Sequence, residues 1–221
     1  MKADLHAHTH FSRDALTSVA TFTRRYERAG IDCVAVSDHN NVDGALAVRG
    51  DASFRVIVSE EIKTSEGEII GLFLQESIRK GLTPEDTVRA IREQGGLVLV
   101  PHPYDRLRRS VLREEALLRI MPDVDVIEVF NSRTTLRADL DRSRALAEAH
   151  GKLQSAATDS HTPWEIGNAY VEMPPFEGAG DFLVALGKGK IMGKRSFIGF
   201  HLLSTWAKLK WRLHLGRRVA Q

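Results

Sequence analysis

Three histidines fall close together near the N-terminus, in Asp4-Leu5-His6-Ala7-His8-Thr9-His10. Side chains two apart on a strand project to one face, so His6 and His8, at the end of a strand-like run over 2–6, can reach a single point in space. Such a pair is either two polar residues in a strand-end loop or the beginning of a metal site. The rest of the chain bears on the choice. Asp38 and His39 follow a strand-like run over 31–37, Glu60 and Glu61 one over 55–59, and His102 one over 97–100. Asn131 follows the run over 124–130, and Asp159 and His161 the run over 153–157. Taken alone, His39 or His102 reads better as a hydrogen-bonded structural histidine; recurrence at the same end of successive strands favours one shared pocket.

Imidazoles with carboxylates suit Zn, Mn or Fe, and a ligand set without cysteine argues against a structural zinc knot. The set exceeds what one ion can use, which points to two or three divalent ions. With ions about 3.5 to 4 Å apart, a shared carboxylate bridges them and bound water reaches a pKa near 7. Such a site favours hydrolysis, of a phosphoryl group most distinctively and of a carbonyl less so.

These side chains need a scaffold. The strand-like runs alternate with helical ones, which implies a parallel sheet wrapped by helices. Ser18 is placed to cap a helix with Val19, Phe22, Tyr26 and Ala29 on its apolar side, and Gly30 follows its end. Thr83-Pro84 opens a second helix with Val88 and Ile91 facing inward, and a third covers 137–150 before Gly151. Residues 62–74 break the alternation and read as a hairpin inserted beside the sheet. A short helix is expected over 181–186 and a terminal amphipathic one over 200–215, with Trp206, Trp211, Lys208, Lys210 and Arg212. Docking on the body is the favoured role for that last helix; a membrane-surface or nucleic-acid contact is the lesser one.

The 221 residues, 43% of them hydrophobic, suffice for one large domain with a sizeable core. No apolar run is long enough to span a bilayer, and polar residues occupy the place of a signal peptide's apolar core, so the expected location is the cytoplasm. The single cysteine, Cys33, lies in an apolar run and reads as a small core side chain. The net charge of +2 is uneven: residues 188–221 carry nine Lys or Arg and no acid, leaving 22 basic against 29 acidic residues before them. An acidic body is a poor surface for nucleic acid, unless bound cations locally reverse the field.

The segments His6-Ala7-His8-Thr9 with Ser12-Arg13-Asp14, Ser37-Asp38-His39-Asn40, Ser59-Glu60-Glu61-Ile62, Pro101-His102-Pro103 and Thr158-Asp159-Ser160-His161 are in order along the chain. Together they resemble the polymerase and histidinol phosphatase (PHP) family of metal-dependent phosphoesterases, over roughly residues 4–192. The resemblance implies a distorted (β/α)7 TIM-like barrel with two or three metals. Carried over motif by motif, His6, His8, Glu61 and Asp159 hold one ion, and Asp14, His39 and His161 a second. Glu61 and His102 reach a third. Glu61, Asp159 and His161 are the expected catalytic set. Asn131 stands where many trinuclear members have a further His or Cys, and Ile69-Ile70 follow Gly67-Glu68 where some relatives place a histidine. A one-residue slip in the strand would exchange the roles of Glu60 and Glu61.

For substrate phosphate, Arg106, Arg108 and Arg109 follow His102 and Arg133 follows Asn131; position favours Arg106 and Arg133. Asp38 is a candidate for orienting a ligand imidazole, and His10 is either an extra ligand or a structural or substrate-contact residue. The expected organisation is a PHP-type hydrolase domain over 1–199 and a basic helix over 200–221. The expected function is hydrolysis of a phosphomonoester, or of a nucleotide or a short RNA or DNA end, by metal-bound hydroxide. Two alternatives compete. One is an amidohydrolase acting on a C–N bond or lactone, which would want a bridging lysine, and no lysine ends a strand as read here. The other is a non-catalytic, metal-stabilised regulatory domain.

Overall fold

Period-two alternation in short apolar runs decides the layering of this chain. The computed structural model describes residues 1–197, 199–200 and 203–207. Along the chain are β1 (Lys2–Ala7), α1 (Val19–Ala29), β2 (Cys33–Val36), α2 (Asp43–Asp51), β3 (Arg55–Lys63) and β4 (Glu68–Leu72). There follow α3 (Pro84–Glu93), β5 (Leu97–Val100), α4 (Glu114–Ile120), β6 (Val126–Asn131), α5 (Arg137–Ala149) and β7 (Leu153–Ala157). The last elements are β8 (Ala169–Glu172), α6 (Ala179–Leu186) and β9 (Lys190–Gly193).

The strands form one sheet in the order β7-β6-β5-β4-β3-β2-β1-β8-β9. The sheet curls into a nearly closed barrel, because the chain just past β7 returns to β1. Ala7 and Ser160 form a parallel bridge, His8 N–H donates to Ser160 O at 3.0 Å, and Asp159 N–H donates to His6 O at 2.8 Å. Ala3, Leu5, Cys33, Ala35, Ile57, Leu97 and Leu99 share one apolar cluster with Phe182 and Leu186 of α6. Their neighbours Val34, Val36, Val58, Val98 and Val100 belong to the other cluster, with Phe22 and Tyr26 of α1 and Ile91 of α3. Burying these side chains on both faces supplies the main driving force, at about 25 cal/mol per Å² of apolar surface.

The expected alternation is present, with one correction. Residues 62–74 are not inserted beside the sheet: β4 runs between β3 and β5 and pairs antiparallel with both. Glu68 through Leu72 are all buried, so this strand is wall and not appendage. The tight turn that permits it needs Gly67, whose φ is +139° and whose added Cβ would collide with the Leu112 backbone. The reading of the sequence also lacked α2, α4, β8 and β9. Thr83 caps α3 as expected, accepting from Asp86 N–H at 3.1 Å, while Ser18 Oγ bonds Thr21 Oγ1 instead of a helix amide. Much of the expected terminal helix over 200–215, including Lys208, Lys210, Trp211 and Arg212, lies outside the described residues; 203–207 are helical. Among the described residues, no helix is long and apolar enough to cross a membrane.

Candidate metal centre

His6 and His8 end the first strand with their Nε2 atoms 3.0 Å apart. Each ring has its other nitrogen engaged. His6 Nδ1 lies 3.2 Å from Glu128 Oε1, an obligate acceptor when ionised. His8 Nδ1 lies 3.0 Å from Ser12 Oγ, whose own hydrogen goes to Asp38 Oδ1 at 2.6 Å, so Ser12 must accept. Both rings therefore carry hydrogen on Nδ1, a tautomer assigned from the hydrogen-bond network. The two Nε2 atoms are thereby turned to one point, where a cation could take both lone pairs in place of a proton shared between them.

Carboxylates complete the surroundings. Glu61 Oε2 is 3.5 Å from His6 Nε2, 3.4 Å from His8 Nε2 and 3.0 Å from His39 Nδ1. Asp159 Oδ1 is 3.8 Å from His6 Nε2 and 3.3 Å from His8 Nε2. Both oxygens are buried with no hydrogen-bond partner among the described residues. Burying such oxygens without a partner is costly, and a cation would offset that cost. Beside this group, Asp14 Oδ1 lies 3.4 Å from His39 Nε2 and 3.6 Å from His161 Nε2. His161 Nδ1 donates to the Asp159 carbonyl at 2.8 Å, which again leaves Nε2 as the lone-pair nitrogen.

The backbone is shaped for this convergence. An isolated parallel bridge between His39 and Glu61 continues the β2–β3 pairing beyond Val36. His102 and Asp159 adopt positive φ, 30° and 50°, which costs of order 1–3 kcal/mol at each non-glycine position and is held by the surrounding structure. Gly44 allows close approach: a Cβ there would strike the Asp38 carboxylate and Thr9. Asp38 accepts from Thr9 N–H at 2.8 Å and from Ser12 Oγ, and so fixes the loop that carries His8.

A model described as the PHP domain matches residues 4–134, and one described as PHP-associated matches 137–191. The chain belongs to the PHP family. The uncharacterized protein MJ1587 of Methanocaldococcus jannaschii is 38% identical over 145 residues, covering 60% of this chain and 82% of that one. A second from the same organism, MJ0417, is 35% identical over 179 residues, covering 78% and 70%. Solved structures share the fold at low identity. A two-domain protein of Bacteroides vulgatus containing a predicted PHP-like metal-dependent phosphoesterase superposes with a TM-score of 0.72 at 17% identity. The match covers 88% of this chain and 65% of that one. An amidohydrolase from Chromobacterium violaceum gives 0.64 at 16% identity, covering 79% and 93%. Endonuclease Q in complex with a duplex carrying an abasic lesion gives 0.63 at 14%, covering 86% and 58%.

In this PHP chain four groups have ligand atoms close enough to hold a cation. They are His6, His8 and Glu61; His8, His39 and His161; His39, Glu61 and Glu68; and His6, His102 and Glu128. The imidazoles and carboxylates of the site shift one another. Burial acts to raise the Glu61 carboxyl, yet His6 and His39 outweigh it and hold Glu61 well below the usual range. Asp159 is likewise held low against burial by Arg108 and His6, and Asp14 by His161 and His39. Burial would lower His6 and His39, but Asp159 and Glu61 beside the first, and Glu61 and Asp14 beside the second, raise both. His8 goes the other way, pushed down by burial and by His161.

Several residues are placed differently from the expectation. A cavity of about 680 Å³ opens over Asp14, His39 and His161 and is lined by Lys63, Glu68, Arg108, Arg109, Arg133, Ser204 and Thr205. Arg106 is not part of that lining; its Nε donates to Asp139 Oδ1 at 2.8 Å. Arg108 is the arginine of that loop that turns in, pairing with Asp159 Oδ2 and, through Nε at 3.1 Å, with Asp105. Arg133 does line the cavity, buried, with Nη2 donating to Ser204 Oγ at 2.9 Å. Glu60 points away from Glu61, and its Oε2 accepts from Ile78 N–H at 2.8 Å. Asp38 reaches an imidazole through Ser12, that of His8 and not of its neighbour His39. His10 packs its ring against Phe11.

Glu128 and Glu68 received no role from the sequence, and Arg108 was a candidate phosphate contact ranked behind Arg106. Glu128 carried a usable signal, an acid in the middle of an apolar strand. Glu68 could be placed only once β4 was known to be barrel wall. Lys63, too, proves to end β3 and to line the cavity, so a lysine does end a barrel strand.

Proposed function

We propose that this protein is a metal-dependent phosphoesterase acting on a phosphomonoester or on a nucleotide or short oligonucleotide phosphate. The observation that carries the reading is the facing Nε2 pair of His6 and His8, closed in by unpartnered oxygens of Glu61 and Asp159. In this reading His6, His8, Glu61 and Asp159 would hold one divalent ion and Asp14, His39 and His161 would hold the other. Glu61 would serve both sets, because its Oε2 lies near His6, His8 and His39 together. Bound cations supply positive charge against the phosphoryl transition state and an activated water at neutral pH.

The chain's own groups do the rest. Ser12 and Glu128 engage Nδ1 of His8 and His6, so that Nε2 is the nitrogen each ring turns to the ion. Arg133 and Arg108 present guanidinium groups to the cavity, where a phosphate would accept hydrogen bonds from them. Lys63 and Arg109 extend the cationic lining outward.

A C–N or lactone hydrolase remains the competing class, given the amidohydrolase among the structural neighbours. Lys63 lines the cavity as an exposed residue, whereas a metal-bridging lysine would lie among the buried imidazoles and carboxylates. The test is phosphate release from an aryl phosphate with Zn, Mn or Fe, its loss on chelation and its return on reloading. A panel of sugar phosphates, histidinol phosphate, mononucleotides, bisphosphate nucleotides and 5′-phosphorylated RNA then ranks substrates. Turnover of amides or lactones with none of these phosphoesters would overturn the proposal.

A further inference from the structure

The third ligand set differs from the other two in how its polar atoms are used. Asn131 stands at the end of β6, where a further ligand would be needed beside Glu61 and His102. Its amide is already committed: Nδ2 donates to Glu128 Oε2 at 2.9 Å and to Asp159 Oδ2 at 3.1 Å, while Oδ1 accepts from Arg133 N–H at 2.9 Å. Two carboxylate acceptors fix which end of the amide faces the site, and that end carries hydrogens and no lone pair. Glu128 has both oxygens engaged, Oε1 by His6 Nδ1 and Oε2 by His102 N–H and Asn131.

His102 itself is held unlike the other imidazoles. His6, His8 and His161 each have Nδ1 anchored to an acceptor, the arrangement that prepares a histidine for a metal. His102 Nδ1 is buried and has no hydrogen-bond partner among the described residues, and its Nε2 lies 3.2 Å from Glu61 Oε1. A full positive charge is nevertheless present nearby. The Arg108 guanidinium pairs with Asp159 Oδ2, the same oxygen that Asn131 contacts, and its charge is stabilised by Asp159, Asp105 and Glu61 against the cost of burial.

We propose that Arg108 takes the place of a third cation, so that the centre holds two divalent ions and one guanidinium. This rests on reading the site as a metal centre and sets the number of ions it takes. A guanidinium cannot bind a nucleophilic water as a metal does, but it neutralises the carboxylates and leaves planar donors to face an anionic substrate. The fixed charge also repels any ion that would enter between Glu61 and His102.

The test is metal content per chain, read by elemental analysis on full-length protein stripped with chelator, reloaded with excess Zn or Mn, and desalted. The wild type should hold two ions, and Asn131→His should still hold two, because the guanidinium remains. Combining Arg108→Ala with Asn131→His should raise the count to three. Should that double variant fail to fold, Arg108→Ala with Asn131→Asp repeats the measurement. Three ions in the wild type, or no gain in a folded double variant, would overturn the role given to Arg108 and leave the phosphoesterase reading standing. Fewer than two in the wild type would overturn both.

Discussion

The wall made by β1, β2, β3 and the end of β7 and the wall made by β5 and β6 contribute to the same site in opposite ways. On the first wall, His6 and His8 have one nitrogen anchored and the other aimed at the centre, where Glu61 and Asp159 keep oxygens without hydrogen-bond partners among the described residues. On the second, the side chain at the end of β6, Asn131, has both ends bonded, and Arg108 from the loop after β5 covers the Asp159 carboxylate beside it. The lesson is that position at a strand end does not make a ligand. What separates Asn131 from Glu61 and Asp159 is that its polar atoms are bonded to neighbours, while each carboxylate keeps a buried oxygen with no hydrogen bond among the described residues.

The largest expected effect breaks the first wall. Asp159→Ala should remove at least one ion per chain and abolish metal-dependent phosphate release, with the circular dichroism spectrum retained. Undiminished turnover with full metal content would mean that the walls do not differ as described.

Next comes a contrast inside β3. Glu60, on the other face from Glu61, is pushed up to about 7 by burial, with Asp43 adding to it. Its unfolded value is near 4.5, so the folded chain holds the extra proton between these limits and stability falls as pH rises through that window. Glu60→Gln should lack this decline, which amounts to on the order of 3 kcal/mol. Urea titrations of both proteins from pH 4 to 8, compared as a difference, check it; parallel curves would disprove the assignment.

Anchoring of the imidazoles is the third point of attack. Ser12→Ala or Glu128→Gln should weaken metal affinity by about 10- to 100-fold, as loss of an outer hydrogen bond to a ligating histidine does. Competition with a chromophoric chelator reads this out directly, and unchanged affinity would show that the anchoring is not needed.

The smallest effects separate the arginines. Arg133→Ala should raise KM for an aryl phosphate several-fold, because it removes a cation from the cavity. Arg106→Ala should change KM by less than about twofold, since its half-exposed pair with Asp139 is worth at most ~1 kcal/mol and lies off the lining. Equal losses for the two would erase the distinction.

Much of this was legible beforehand because it depends on local pattern. The β1, β2, β3, β5, β6 and β7 runs announce themselves by short apolar stretches, and α1, α3 and α5 by helical period and flanking signals. The polar residues at the strand ends, from His6 to His161, stand out against that background. β4 did not read as wall: Ile69 to Leu72 are as apolar as any strand here, but nothing local says which neighbour it pairs with. Arg106 and Arg108, two residues apart in one loop, could not be ranked, because loop conformation decides which guanidinium turns inward.

The sequence by itself determined the family, the candidate ligand types at the strand ends and the acidic body, because residue identity and spacing are local properties that side-chain chemistry constrains directly. Only the tertiary structure decided that His6 and His8 share an open point, that Glu68 joins the site, and that Asn131 spends its amide on neighbours. Those outcomes depend on which atoms across the barrel satisfy which, and hydrogen bonds between residues over a hundred positions apart, such as His6 to Glu128, leave no trace in the order of the residues.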